Sequence, residues 1–158
     1  MSEISTENNY RAEIALRTRR RVLDDRARKL TVAVFGLMGY SAFSNFVGAF
    51  ASFGDVMASP ALGTLSVLTF GLLLGALYSL GAYRVWLKDD LRWWPVAVPA
   101  GISIALSILA LTVGKPALIP LLLNVVLLAI VPFRRRAAAA AAAIAGKPLS
   151  DSASFKDV

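Results

Sequence analysis

The chain has 158 residues, 57% of them hydrophobic and 17% charged, with a net charge of +7. Soluble domains carry about 25% charged residues, so this balance, with its long uncharged runs, argues against a water-soluble globule. There is no cysteine and no histidine, which excludes disulfides and thiolate chemistry and removes the usual ligands of zinc, haem and iron–sulfur centres. No cofactor and no metal are expected.

Residues 1–9 are polar. Residues 10–30 hold eight Lys/Arg and three Asp/Glu with no Gly or Pro. Leu16, Leu23, Ala27 and Leu30 share one helical face there. The stretch predicts a basic amphipathic helix on or near the cytoplasmic membrane surface, with Arg19, Arg20 and Arg21 at lipid head groups. So much positive charge suits nucleic acid too. The basic residues flank apolar spans, however, and no nucleic-acid motif accompanies them, so anionic lipid is the expected partner.

Residues 31–53 are uncharged and predict a first span. A signal-peptide core runs to about 7–15 residues behind a short basic region; this apolar run is too long and its basic region too extended, so cleavage is not expected. Ser41, Asn45, Gly48 and Ser52 form a small and polar stripe. Asn45 lies well inside the bilayer, where an amide needs a partner on another helix. Residues 54–61 form a turn with Asp55, Ser59 and Pro60 and no Lys or Arg.

Residues 62–83 predict the second span. As a helix this run is about 33 Å long against a hydrocarbon core of about 30 Å. Gly71 and Gly75 form a GxxxG within it, on one face with Thr64, Ser79 and Ala82. Such a strip of small side chains lets a second helix approach closely. Residues 84–94 form a charged connection with Arg84, Lys88 and Arg92 against Asp89 and Asp90. All three tryptophans, Trp86, Trp93 and Trp94, fall there beside Tyr83, as expected of an aromatic belt at head-group depth. Adjacent carboxylates do not face each other on a helix, so Asp89 and Asp90 predict a solvated turn rather than acid–base chemistry.

Residues 95–113 predict the third span, with Pro95 and Pro99 in its first turns, where a missing N–H does least harm. Ala100, Ser103, Ser107 and Ala110 repeat at 3, 4 and 3 residues, a second face for close packing. Spans two and three are expected to meet along these small faces, or each to meet a partner. Residues 117–133 predict a short fourth span, kinked at Pro120. Asn124 is its only polar residue, and the expected partner is Asn45 or a serine of span three. Arg134, Arg135 and Arg136 follow at head-group depth. Seven alanines then predict a helical extension to Gly146, stopped by Pro148. A polar tail closes the sequence.

Sixteen Lys/Arg fall in the N-terminal region, the 84–94 connection and the C-terminal region, against Lys115 alone in the other turns. The positive-inside rule then places both termini in the cytoplasm. The expected fold is all-α: a polytopic four-helix transmembrane bundle, up-down-up-down, at residues 31–133, with residues 1–30 and 134–158 as basic cytoplasmic flanks in a bacterial plasma membrane. The expected function is a small non-catalytic accessory subunit of a larger bacterial membrane complex, with larger membrane subunits as partners. The alternative is a small homo-oligomeric transporter or channel, with Asn45, Asn124, Ser103 and Ser107 along its path. Ion-coupled carriers usually place a charge inside the membrane, and the spans carry none.

Overall fold

The computed structural model describes residues 2–146, with side chains from Tyr10 onward; the polar tail at 147–158 and Pro148 lie outside the described residues. The described chain is all-helical. Four helices follow in order: α1 Ser2–Ala58, α2 Leu62–Leu87, α3 Trp94–Thr112 and α4 Leu118–Ile144. Each is long and apolar enough to cross a membrane, and the chain is a multi-pass membrane protein by this measure.

The basic stretch is not a separate element. α1 runs for 57 residues through it and the first span without a break. No Gly or Pro stands between Tyr10 and Phe35 to interrupt the hydrogen-bond ladder. The basic segment therefore continues the span along the span's own direction. α2 continues four residues past its expected end, so Trp86 is helical. At its C-terminus Asp89 adopts φ 44, left-handed backbone that Asp tolerates better than most residues. That turn brings the Asp90 N–H to Arg84 O at 3.1 Å. α4 carries on through the three arginines and the alanines to Ile144, and the chain turns at Gly146 with φ 66.

The glycine face of α2 is filled by α1, not by α3. A side chain on Gly71 would meet Ala49 Cβ at 2.9 Å, and one on Gly75 would meet the Phe46 ring at 2.8 Å. One on Gly81 would overlap Met38 Cε and the Pro95 carbonyl. Positions 71, 75 and 81 thus face 49, 46 and 38, so numbering rises along one helix as it falls along the other. The expected meeting of spans two and three along Gly71 and Gly75 does not occur, because Ala49 and Phe46 of the first span already occupy that face.

α2 and α3 meet instead at Gly81. Pro99 has no N–H to give the Pro95 carbonyl, and the hydrogen that replaces a side chain on Gly81 points at that carbonyl. A Cα–H···O contact of this kind contributes about 0.5–1 kcal/mol. The main core joins Val34, Met38 and Ala42 of α1 to Leu74, Tyr78 and Val85 of α2, Val96 and Ala100 of α3, and Leu127 of α4. A second cluster, Ala27, Leu91, Ala137 and Ala138, lies at the end where α1 and α4 outrun the other helices.

The outer surface is apolar. Phe43, Phe50, Leu62 and Ile119 are among many large side chains left exposed, an arrangement suited to lipid and a liability in water. Hydroxyls on the spans turn inward to their own backbone: Ser66 donates to Leu62 O at 2.7 Å, Thr69 to Leu65 O at 2.9 Å and Ser79 to Gly75 O at 2.8 Å.

Candidate functional site

Two polar clusters stand on one face of α4, at different depths. The deeper one centres on Asn124, which is 2% exposed. Its amide nitrogen donates to Ser103 Oγ of α3 at 3.0 Å and to Pro120 O of its own helix at 2.7 Å. Its amide oxygen accepts the Tyr78 hydroxyl of α2. Three helices are tied at one side chain, and that amide has partners for both its nitrogen and its oxygen. Ser107 lies buried one turn further along α3. The cluster is built of a phenol, an amide and a hydroxyl, and its hydrogen bonds hold α2, α3 and α4 together.

Asn45 is not part of it. It lies half-buried on α1 and donates to Ser41 O of the same helix at 2.7 Å. The expected pairing of Asn45 with Asn124 is therefore not made: Asn45 donates one turn back along α1, and Asn124 takes the other expected partner, a serine of α3, Ser103.

The second cluster centres on Arg134. Expected at the head groups, it is 3% exposed. Its Nε donates to Thr31 Oγ1 of α1 at 2.9 Å, and Nη1 donates to the Asp90 carbonyl at 3.0 Å. Nη2 is buried with no hydrogen-bond partner. Thr31 passes the chain on, donating to Ala27 O at 3.0 Å. Asp90 is buried too, contrary to the solvated turn expected of it. Its carboxylate accepts the Arg92 N–H at 2.9 Å and faces Arg84 at 3.6 Å. The Arg84 guanidinium in turn lies 4.6 Å from the centroid of the Trp94 ring, within cation–π range. Arg134 thus pins α1, α4 and the α2–α3 connection at one point.

The other residues singled out from sequence scatter. Ala100, Ser103 and Ser107 lie in the buried face of α3, and Ala110 is half-buried at its far end. Arg19 and Arg21 are exposed on α1, while Arg20 is half-buried beside Asp24 at 3.7 Å. Arg135 and Arg136 are exposed. Trp86 is exposed and stacks on Phe35 of α1 with ring centroids 4.9 Å apart. Trp93 and Trp94 stay exposed at the start of α3.

Sequence reasoning passed over Tyr78, Thr31, Arg84 and Gly81. Tyr78 carried a readable signal: it stands five residues, about 7.5 Å of helix, inside the Tyr83 end of its span, and a phenol buried there needs an internal acceptor. No protein-family model, no curated protein and no solved structure matches this chain.

Proposed function

We propose that the protein is a small non-catalytic accessory subunit of a larger bacterial membrane complex. In this reading it sits in the plasma membrane as an up-down-up-down bundle with both termini cytoplasmic. The supporting observation is the exposed basic stretch of α1. Thr31 lies against Arg134 and Ala27 against Ala137 and Ala138, so each step back along α1 matches one onward along α4. Ile144, the end of α4, then falls beside Arg20 and Arg21. Before that point every α1 residue from Tyr10 to Arg19 is exposed. The exposed part of α1, from Tyr10 to Arg19, is about 15 Å long at 1.5 Å per residue. An isolated helix of this length is marginal in water, and this one displays Tyr10, Ile14 and Leu16 among its charges. A protein neighbour would stabilise it. The sixteen-to-one distribution of Lys/Arg supports the cytoplasmic placement of that arm.

A small homo-oligomeric transporter or channel is the second reading, favoured by one observation. Tyr78, Asn124 and Ser103 put polar atoms in the interior of the spans. Gentle extraction with a tag, followed by mass spectrometry, separates the two. The subunit reading expects a fixed set of larger membrane proteins, lost when residues 2–19 are deleted. A lone oligomer that carries flux in vesicles, abolished by Asn124→Leu with assembly intact, would overturn it.

A further inference from the structure

A groove opens between α2 and α3 at the end of the bundle that carries Arg134. Gly81 and Pro95 form its floor, Leu80 and Val98 its rims, and Arg84 and Trp94 stand at its mouth. Gly81 contributes no side chain, which lets the Pro95 carbonyl and Met38 approach it closely where α3 crosses. The rims are 50% and 44% exposed at Leu80 and Val98, so the groove faces outward, toward lipid. Its volume is about 30 Å³. Pockets that enclose a ligand run to about 300–1,000 Å³; this one is no larger than one water's share of liquid volume, so an acyl chain would lie across its outer face, against Leu80 and Val98, and not within it.

The mouth has the opposite character. Arg84 stands 22 residues after Leu62 on α2, about 33 Å of helix, and so reaches head-group depth when α2 crosses a core of about 30 Å. Its side chain is 37% exposed, and its contact with Asp90 is long at 3.6 Å. A pair so placed is weak and leaves donors for an anion. Trp94 lies under the guanidinium, at the level where tryptophans border the bilayer. Arg84 is the charged side chain that lines the groove, so its mouth is positive where it meets the head groups.

We propose that this groove is a binding site for one anionic phospholipid, with the phosphodiester on Arg84 beside Trp94 and the upper acyl chain across its outer face, against Leu80 and Val98. The assignment rests on the spans crossing a membrane and is independent of the accessory-subunit reading. The full-length protein is to be reconstituted in vesicles of equal phosphatidylglycerol and phosphatidylcholine, extracted gently, and examined by native mass spectrometry. The expected result is one retained lipid with phosphatidylglycerol favoured about fivefold, the factor corresponding to about 1 kcal/mol for one basic residue at the surface. Arg84→Gln should bring the ratio near one, and Lys115→Gln, in the opposite turn, should leave it unchanged. Val98→Trp, which fills the groove from its rim without touching Arg84, should lower retention of both lipids. Excess inorganic phosphate should not displace the lipid. Equal retention of the two lipids by the native chain, or a preference that survives Arg84→Gln, would overturn the proposal. Displacement by phosphate alone would also overturn it, in favour of a free-anion site.

Discussion

Arg134 and Thr31 offer a measurable asymmetry. Thr31→Val keeps the shape of the side chain and removes the acceptor for Arg134 Nε, now held at 2.9 Å. The guanidinium stays buried and charged, and Nη2 already lacks a partner, so a second N–H would go unsatisfied. A hydrogen bond to a charged group contributes about 1.5–3 kcal/mol, and a buried charged donor without an acceptor costs at least that much. We expect a loss of about 2–3 kcal/mol, or about 7 °C in Tm at the entropy of unfolding of a chain this size. Arg134→Met removes more contacts and should cost less, about 1 kcal/mol, because the desolvation penalty of the charge disappears with it. Thr31 would keep its own bond to Ala27 O, leaving only the Asp90 carbonyl without its donor. The double variant should therefore match Arg134→Met alone, with a coupling of about 2 kcal/mol in the cycle. The assay is thermal unfolding of the four proteins in one detergent. A Thr31→Val protein as stable as the native chain, or a double variant that loses the sum of the two single losses, would refute the reasoning.

Other outcomes follow from the packing and the polar clusters. Gly81→Ala should lose about 1–3 kcal/mol because the added carbon meets the Pro95 carbonyl and Met38, whereas Gly101→Ala, with nothing within 4 Å, should gain about 0.4–1 kcal/mol; equal melting temperatures would reject the α2–α3 close approach. Asn124→Leu should cost about 1–2 kcal/mol by leaving the Tyr78 and Ser103 hydroxyls without the amide; Asn45→Leu, which loses only a bond within α1, should be within about 0.5 kcal/mol of native, and thermal unfolding compares the pair. For the topology, Ser59→Cys should react with an impermeant maleimide from outside intact cells and Lys88→Cys only after lysis; labelling of Lys88→Cys from outside would reverse the orientation.

The four spans were legible because an apolar run of the right length has few other uses. Partners were not, since a small stripe states that a helix comes close without stating which helix. Gly71 and Gly75 fit α1 or α3 equally well in one dimension, and only the three-dimensional packing puts Ala49 and Phe46 of α1 on them. Asn124 was legible as a helix tie because hydrocarbon offers an amide nothing else. Asn45 looked identical in sequence, and both amides donate one turn back, to Ser41 O and Pro120 O; they differ in that Asn124 also faces Ser103 and Tyr78 of other helices. Arg134 was misplaced for a local reason: three consecutive arginines after a span read as one head-group patch. Yet Asn124, Leu127, Val131, Arg134, Ala138 and Ala141 repeat at 3, 4, 3, 4 and 3 residues. Following that line out of the span singles out Arg134 from its two neighbours and directs it inward. Asp90 left no such trace, because its burial depends on the left-handed turn at Asp89.

That line along α4 also shows how depth selects the chemistry of a seam. Asn124 and Arg134 are ten residues apart, about 15 Å of helix, so one lies deep in the span and the other at its edge. A neutral amide suits the centre, where an arginine costs about 2.5–3.5 kcal/mol to insert. At the edge the α2–α3 connection can supply a backbone carbonyl, and a guanidinium is tolerated. Inside the span, helices gain little by leaving lipid, and close contact must hold them together; the fit of Gly71 on Ala49 and Gly75 on Phe46 serves that end. Beyond Arg134 the surroundings become aqueous if the flanks leave the bilayer, and the hydrophobic effect returns at about 25 cal/mol per Å². Ala137 and Ala138 against Ala27 and Leu91 can then hold α1 and α4 together with small side chains alone. The alanine run is the continuation of the same interface under a different driving force, and its end near Ile144 falls where the exposed stretch of α1 begins.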